Sequence, residues 1–270
     1  MDQRPIGIFD SGIGGLTVLH AIGALLPSED LVYLGDTARV PYGTKSTDTV
    51  IRYSVENTRF LLSRDVKAVV VACNTASAAS VDVLRSEFSV PILGVIEAGV
   101  EEALRLSVSR RIGVIGTYAT VQSGKYESLL RQGGVADVAS IACPLFVPLA
   151  EEGWTDNKVA EDVAHIYLEP LAKAGIDTLI LGCTHYPLLQ GVIAKVCGPG
   201  VRLVNSADSI AERLKGQLAA AGIENAAGAG NRRFYFTDSA ERARIVGSRF
   251  LGEDLENRIQ LVDLTEFAHH

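Results

Sequence analysis

Two of the four cysteines stand in matching surroundings 110 residues apart. The runs Ala68-Val69-Val70-Val71-Ala72-Cys73-Asn74-Thr75 and Thr178-Leu179-Ile180-Leu181-Gly182-Cys183-Thr184-His185 each lead from an apolar stretch into a cysteine. Amide, hydroxyl or imidazole groups follow. A thiol of ordinary pKa, near 8.5, has both protonation states within reach at neutrality and can take or give a proton. A pair of such groups suits inversion of a carbon acid, with a base on one face, an acid on the other, and the roles exchanged in reverse. A carboxylate would be too weak a base. The carbon acid is far weaker than the thiol, and a mismatch on the order of ten pKa units is roughly 14 kcal/mol. Helix N-termini after the strand ends and backbone N–H groups of glycine-rich turns are candidates to stabilise the carbanion. Cys143 and Cys197 lack such surroundings and read as small buried hydrophobes. With no Cys-x-x-Cys pair, neither a disulfide framework nor a zinc ribbon is expected.

The elements that must position these residues alternate along the chain. Short Val/Ile/Leu runs recur at 6–9, 31–34, 68–72, 92–96, 112–115, 178–181 and 202–204. Helical stripes lie between them, such as Val18, Ile22 and Leu25, closed by Pro27, and Val50, Ile51, Val55, Thr58, Leu61 and Leu62. Continuous apolar strands imply burial on both faces, hence parallel sheets covered by helices and a doubly wound α/β fold. Ala226–Asn231 reads as a loop before a last strand, Arg233–Phe236, and a last helix.

The pattern repeats. Gly7–Ser11 echoes Gly113–Thr117, the two cysteine runs match, and Val90–Gly94 corresponds to Val201–Asn205, all at offsets of 106 to 111. Two pseudo-symmetric lobes with mainly parallel sheets follow, with the active site in the cleft between them. The first lobe is expected over 1–97 plus 209–270, carrying Asp10, Asp36 and Cys73. The second is expected over 98–208, carrying Glu151, Cys183 and His185. Ligands bind beyond the carboxyl ends of parallel strands, where Asp10, Ser11, Asp36 and both cysteine motifs lie. If the lobes face each other about a pseudo-twofold axis, the two thiols enter one cleft from opposite sides.

Composition narrows the partners. A net charge of −7 and the absence of any Lys/Arg run exclude nucleic acid and anionic membranes as main partners. No apolar run approaches the roughly 20 residues that span a bilayer, and the start has no apolar signal core. A cytoplasmic protein is expected, and a homodimer is the expected assembly. Gly12-Ile13-Gly14-Gly15 lacks the dinucleotide-binding spacing and a P-loop lysine, and reads as a tight turn that starts a helix close to bound substrate. His185 and Glu151-Glu152 have no partner at metal-ligand spacing, so no metal is expected. No lysine sits at a strand end to hold a pyridoxal group, so no cofactor is expected either. His269-His270 receives no functional weight.

Phe9–Val18, Gly35–Gly43, Ala72–Ala76 and Gly182–Pro187 closely resemble the signatures of bacterial glutamate racemases, over about residues 6 to 210. The resemblance implies two pseudo-symmetric lobes around a buried site, D/L interconversion of glutamate without a cofactor, and supply of D-glutamate to peptidoglycan. It implies Cys73 and Cys183 on opposite faces of the α-carbon, with Asp10 beside Cys73 and His185 beside Cys183. Cys73 would act on the D enantiomer and Cys183 on the L enantiomer. Glu151 or Glu152, with Glu151 preferred, would assist the second half-site. Geometry and resemblance together suggest Asn74, Thr75 and Thr184 for the α-carboxylate and Asp10 for the ammonium group. The Tyr42-Gly43 turn with Ser11 would hold the side-chain carboxylate, and Asp36 would support from behind. The chain lacks the N-terminal extension of some members, which argues against activation by a cell-wall precursor. Three rivals remain open: an aspartate racemase, in which Thr-Glu rather than Thr184-His185 follows the second cysteine, a thiol redox enzyme, and a non-catalytic binding protein.

Overall fold

Runs such as Ile6–Asp10 and Leu31–Gly35 are buried at every position. Strands of that kind need cover on both faces and therefore become interior strands of parallel sheets. The computed structural model describes residues 2–226 and 228–268, so Met1, His269-His270 and, within the expected 226–231 loop, Ala227 lie outside the described residues. β1 (Ile6–Asp10) leads through a glycine turn to α1 (Leu16–Leu25), then β2 (Leu31–Gly35) and α2 (Thr47–Leu62). Ser46 caps α2, its hydroxyl accepting from the Thr49 N–H at 3.4 Å. β3 (Ala68–Val71), α3 (Asn74–Glu87), β4 (Ile92–Gly94) and α4 (Val95–Leu106) complete this first run.

The second run starts with β5 (Ile112–Gly116), α5 (Tyr118–Gln122), α6 (Lys125–Gln132) and β6 (Val138–Ala142). It continues through α7 (Phe146–Glu151), α8 (Lys158–Lys173), β7 (Thr178–Gly182), α9 (Gln190–Cys197) and β8 (Arg202–Asn205). After α10 (Ser206–Ala221), the chain adds β9 (Arg232–Phe236), α11 (Ala240–Leu251) and β10 (Ile259–Leu261).

The strands form two sheets, β10-β9-β2-β1-β3-β4 and β6-β5-β7-β8, and the pairings within both are parallel. This is the α/β architecture that the apolar runs predict. The order β2-β1-β3-β4 recurs as β6-β5-β7-β8, making β1 the counterpart of β5 and β3 that of β7. The last strands extend the first sheet, β9 lying parallel to β2 from Arg232 opposite Leu31 to Phe236 opposite Gly35.

Differences from the sequence reading fall at edges and boundaries. The run 92–96 is strand only to Gly94, and Val95-Ile96 open α4 with their side chains still buried. β6 and β10 are not signalled by apolar runs. Both are edge strands, β6 half-buried along its length and β10 mostly exposed, so neither needs continuous apolar residues. Among the described residues no helix is long and apolar enough to cross a membrane.

An ion pair closes the end of the first sheet remote from the strand carboxyl ends. Lys67, just before β3, is fully buried and lies 2.6 Å from the Glu29 carboxylate. Its ammonium also donates to the carbonyls of Asp2 and Ile223, each at 2.8 Å. Glu29 in turn accepts from the Asn225 N–H at 2.7 Å. One lysine thus joins the N-terminal segment, the start of β3 and the return from α10 to β9. Removing one member of such a pair leaves a buried charge uncompensated. Lys67→Met is expected to lower unfolding stability by about 3 kcal/mol, read in urea as a lower midpoint at unchanged m-value. An unchanged midpoint would show that the pair contributes nothing net.

Candidate active site

The carboxyl ends of the two sheets meet around a cavity of about 430 Å³. β3 delivers Cys73 to it as the residue before the first turn of α3, and β7 delivers Cys183 one residue past its end. Both side chains are nearly closed to solvent, Cys73 at 6 % exposure and Cys183 at 7 %.

Around Cys73 the environment is uncharged except for Asp10. The Cys73 thiol donates to the Ser11 hydroxyl at 3.5 Å. Burial pushes this thiol up to about 12, and the Asp10 carboxylate pushes the same way, against hydrogen bonds from Ser11 and the Ala76 N–H. A thiol raised so far keeps its proton at neutral pH. Asp10 ends β1 with no exposed surface, accepting from the Gly12 N–H at 2.8 Å and the Thr184 hydroxyl at 3.4 Å. Burial raises its pKa, while the His185 charge and the N–H groups of Gly12 and Gly15 work against that rise.

Around Cys183 the environment is charged. Its sulfur lies 3.9 Å from His185 Nδ1, and Nε2 of the same ring lies 3.1 Å from Glu151 Oε1. Oε2 of that carboxylate accepts from Arg242 of α11 at 2.7 Å. Burial disfavours the charged ring, but the contacts with Cys183 and Glu151 outweigh it and push His185 up to about 10. The His185 hydrogen bond, followed by the charges of His185 and Arg242, holds Glu151 down at about 2. An imidazolium beside Cys183 offers a positive partner to a thiolate there.

The two halves meet where the glycine turn after β1 presses on the segment after Cys183. A Cβ on Gly14 would stand 2.2 Å from Thr184 Oγ1 and 2.6 Å from His185 Nδ1. A Cβ on Gly15 would stand 2.5 Å from the Asp10 Cβ. Gly14 thus packs against the segment after β7 and Gly15 against the end of β1, while Ser11, Gly12 and Ile13 of the same turn line the cavity.

The cavity wall also carries an unused donor. Asn74 accepts from the Tyr126 hydroxyl at 2.7 Å through Oδ1, while its buried Nδ2 has no hydrogen-bond partner among the described residues. A buried unpaired N–H group on a cavity wall calls for an acceptor from a ligand. Thr75 shares hydrogen bonds with Thr117 at 2.9 Å and Thr120 at 3.2 Å. Next to Thr117, the turn Tyr42–Thr44 is held from behind: Tyr42 donates to Asp36, which also accepts from Arg39 at 2.7 Å and Thr237 at 3.1 Å. Burial raises the Asp36 pKa against the pull of Arg39.

Of the site residues expected from sequence, all reach the cavity wall except Asp10 and Asp36, which lie behind it. Glu151, and not Glu152, meets His185. Sequence reasoning missed Arg242, Ser239 and Ala243 near the start of α11, because no local pattern links them to Glu151 some ninety residues earlier. It also missed Thr117, although the repeat register pairs Thr117 with Ser11 and thereby carried the signal.

The Asp/Glu/Hydantoin racemase family model matches residues 15–214. A glutamate racemase of Geobacter metallireducens is 50 % identical over 264 residues, covering 97 % of each chain. Among solved structures, glutamate racemase from Francisella tularensis in complex with D-glutamate has a TM-score of 0.91 at 38 % identity, covering 98 % of this chain and 100 % of that one. The Thermus thermophilus glutamate racemase in complex with β-chloro-D-alanine has a TM-score of 0.90 at 47 % identity, with the same coverage.

The His185–Glu151 contact has a direct test. NMR titration of the His185 ring is expected to give a midpoint near 10 in the parent chain. In Glu151→Gln, where the opposite charge is gone, the midpoint should fall by about 1 to 3 pH units. The same midpoint in both chains would mean that Glu151 does not hold the ring cationic.

Proposed function

Since the chain belongs to the Asp/Glu/Hydantoin racemase family and is an amino-acid racemase of its glutamate group, we propose that it interconverts L- and D-glutamate by a two-thiol mechanism without a cofactor. The observation that carries this reading is the pair Cys73 and Cys183, at equivalent strand ends of a repeated sheet, bordering one cavity. In the L-to-D direction, a Cys183 thiolate beside the His185 imidazolium takes the α-proton and becomes a thiol. The electron pair left on the α-carbon then accepts the proton of the Cys73 thiol on the other face, leaving Cys73 as the thiolate. The D-to-L direction runs these transfers backwards. Two proton-transfer groups, one poised as acid and one beside a cation, are the arrangement that a resting enzyme ready for L-glutamate needs.

The substrate's α-carboxylate goes to the unpaired Asn74 amide and the hydroxyls of Thr75 and Thr184. The side-chain carboxylate goes to Ser11 and the Tyr42-Gly43 turn, which Asp36 holds in place. Asp10 sits behind Thr184 and Cys73, where its carboxylate attracts the ammonium group and bears on both half-sites. His185 serves Cys183, and Glu151 serves His185. Water is largely shut out of both sulfurs, which strengthens every charge interaction with the carbanion. D-glutamate bound to the Francisella relative supports glutamate as substrate. In this reading the first lobe comprises 1–97 and 209–270 and the second 98–208. The enzyme is a cytoplasmic homodimer whose product enters peptidoglycan synthesis.

Two experiments test the mechanism. Protein treated with EDTA and free of pyridoxal phosphate should interconvert the enantiomers to an equilibrium constant of one, followed by circular dichroism. A requirement for either addition would remove the thiol scheme. Cys73→Ala and Cys183→Ala should each lower racemisation by at least about a hundredfold. With a glutamate analogue bearing a leaving group on the β-carbon, which reacts after a single deprotonation, each variant should keep activity on one enantiomer only. We expect Cys73→Ala to retain the L form and Cys183→Ala the D form. Retention of both forms by both variants would mean that one base serves both faces.

A further inference from the structure

α11 belongs to the part of the chain that has no counterpart in the repeat; it packs on α1, yet its polar contacts with the site go to the second half-site. Arg242 holds Glu151 Oε2 at 2.7 Å while Oε1 of the same carboxylate meets His185 at 3.1 Å. Two helical turns further on the same face, Arg249 donates to the backbone carbonyl of Glu151 at 2.9 Å. The Phe250 ring stands edge-on to the His185 ring, with centroids 5.0 Å apart and planes at 77°. The helix thus holds Glu151 by side chain and backbone and bounds the imidazole. Among the described residues, no hydrogen bond of Cys73, Ser11 or Asp10 involves α11. The Arg242 side chain is 55 % exposed, and an ion pair so open to solvent adds little to folding stability. Its placement is better explained by what the carboxylate does next.

We propose that Arg242 is a positioning residue for proton transfer at Cys183 and has no part in proton transfer at Cys73. The guanidinium occupies one carboxylate oxygen and leaves the other directed at His185. Without it Glu151, itself 23 % exposed, is free to turn toward water, and His185 loses the partner that keeps its ring charged and aimed at the sulfur. The helix at the end of the chain therefore sets the competence of one face of the reaction. This rests on the two-thiol reading above.

Racemisation alone cannot reveal such one-sidedness. Enantiomers have equal free energy, so kcat/KM must fall by the same factor in both directions whichever half-site is damaged. Half-reactions can reveal it. Each enantiomer of 3-chloroglutamate loses its α-proton to one thiolate, the C–H electron pair forms the double bond, and chloride leaves with its own pair. The enamine then hydrolyses to ammonium and 2-oxoglutarate, which is measured. Cys183→Ala identifies the enantiomer that Cys183 serves.

In Arg242→Ala, elimination from that enantiomer should fall about tenfold to a hundredfold, with its alkaline limb moved to lower pH. Elimination from the other enantiomer should stay within about twofold, well short of the effect of misplacing a reacting group. Arg242→Lys, which keeps the charge, should restore part of the loss. Equal losses on both enantiomers, or no loss on either, overturn the role of Arg242. If Cys183→Ala itself eliminates from both enantiomers at the parent rate, the two-thiol reading is the part that fails.

Discussion

The glycine turn after β1 lies so close to Thr184 and His185 that no Cβ fits at Gly14, and the rest of the site depends on that contact. Thr17, at the start of α1, donates to the Gly14 carbonyl at 2.9 Å and also lies 3.1 Å from the Thr184 carbonyl. Thr184 in turn reaches Asp10 at the end of β1. Side-chain hydroxyls of Thr17 and Thr184 thereby tie the carboxyl ends of two separate sheets together, against a turn that has no side chain of its own at Gly14. A side chain at Gly14 would part them. The cavity would widen and water would enter beside the two buried thiols. Close packing in protein interiors makes this an all-or-nothing demand.

Around that seam the backbone is nearly symmetric and the electrostatics are not. β1 and β3 are matched by β5 and β7, and both cysteines stand where a strand gives way to the next segment. Burial dominates at Cys73, where the Asp10 carboxyl, the Ser11 hydroxyl and the Ala76 N–H are the nearby groups that bear on it together with Cys183. Cys183 stands at the end of a line of alternating charge: imidazolium, carboxylate, guanidinium. A reaction with an equilibrium constant of one does not require identical half-sites. In the two-thiol mechanism proposed above, one group gives a proton while the other takes one, and that calls for unlike surroundings around two like thiols.

Parts of the chain outside the repeat contribute to this asymmetry. β9 and β10 widen only the first sheet, and the helix between them brings Arg242, Arg249 and Phe250 to the second half-site. The buried Lys67–Glu29 pair fastens the return of the chain from α10, through Ile223 and Asn225, which precedes that extension. The last quarter of the chain thus links folding of the first sheet to the chemistry of the second.

The amino-acid sequence by itself determined the two cysteines, their matching contexts, the parallel strands beneath them and the repeat relating the halves. Those features are local or periodic: apolar runs fully buried on both faces are continuous in sequence, and like backbones need like residues at like spacing. Tertiary structure decided what no window of sequence holds. β6 and β10 lie at sheet edges, where half-burial relaxes the apolar pattern. Asp36 was legible as a support behind the site, whereas Asp10 was expected against the substrate, and packing put it behind the cavity wall, since depth is not written in residue type. The choice of Glu151 over its neighbour Glu152 came from which carboxylate faces His185. Arg242 came from a contact across 91 residues. Such pairs are set by the folded chain bringing distant charges together, because charge interactions depend on distance in space and not on distance along the sequence.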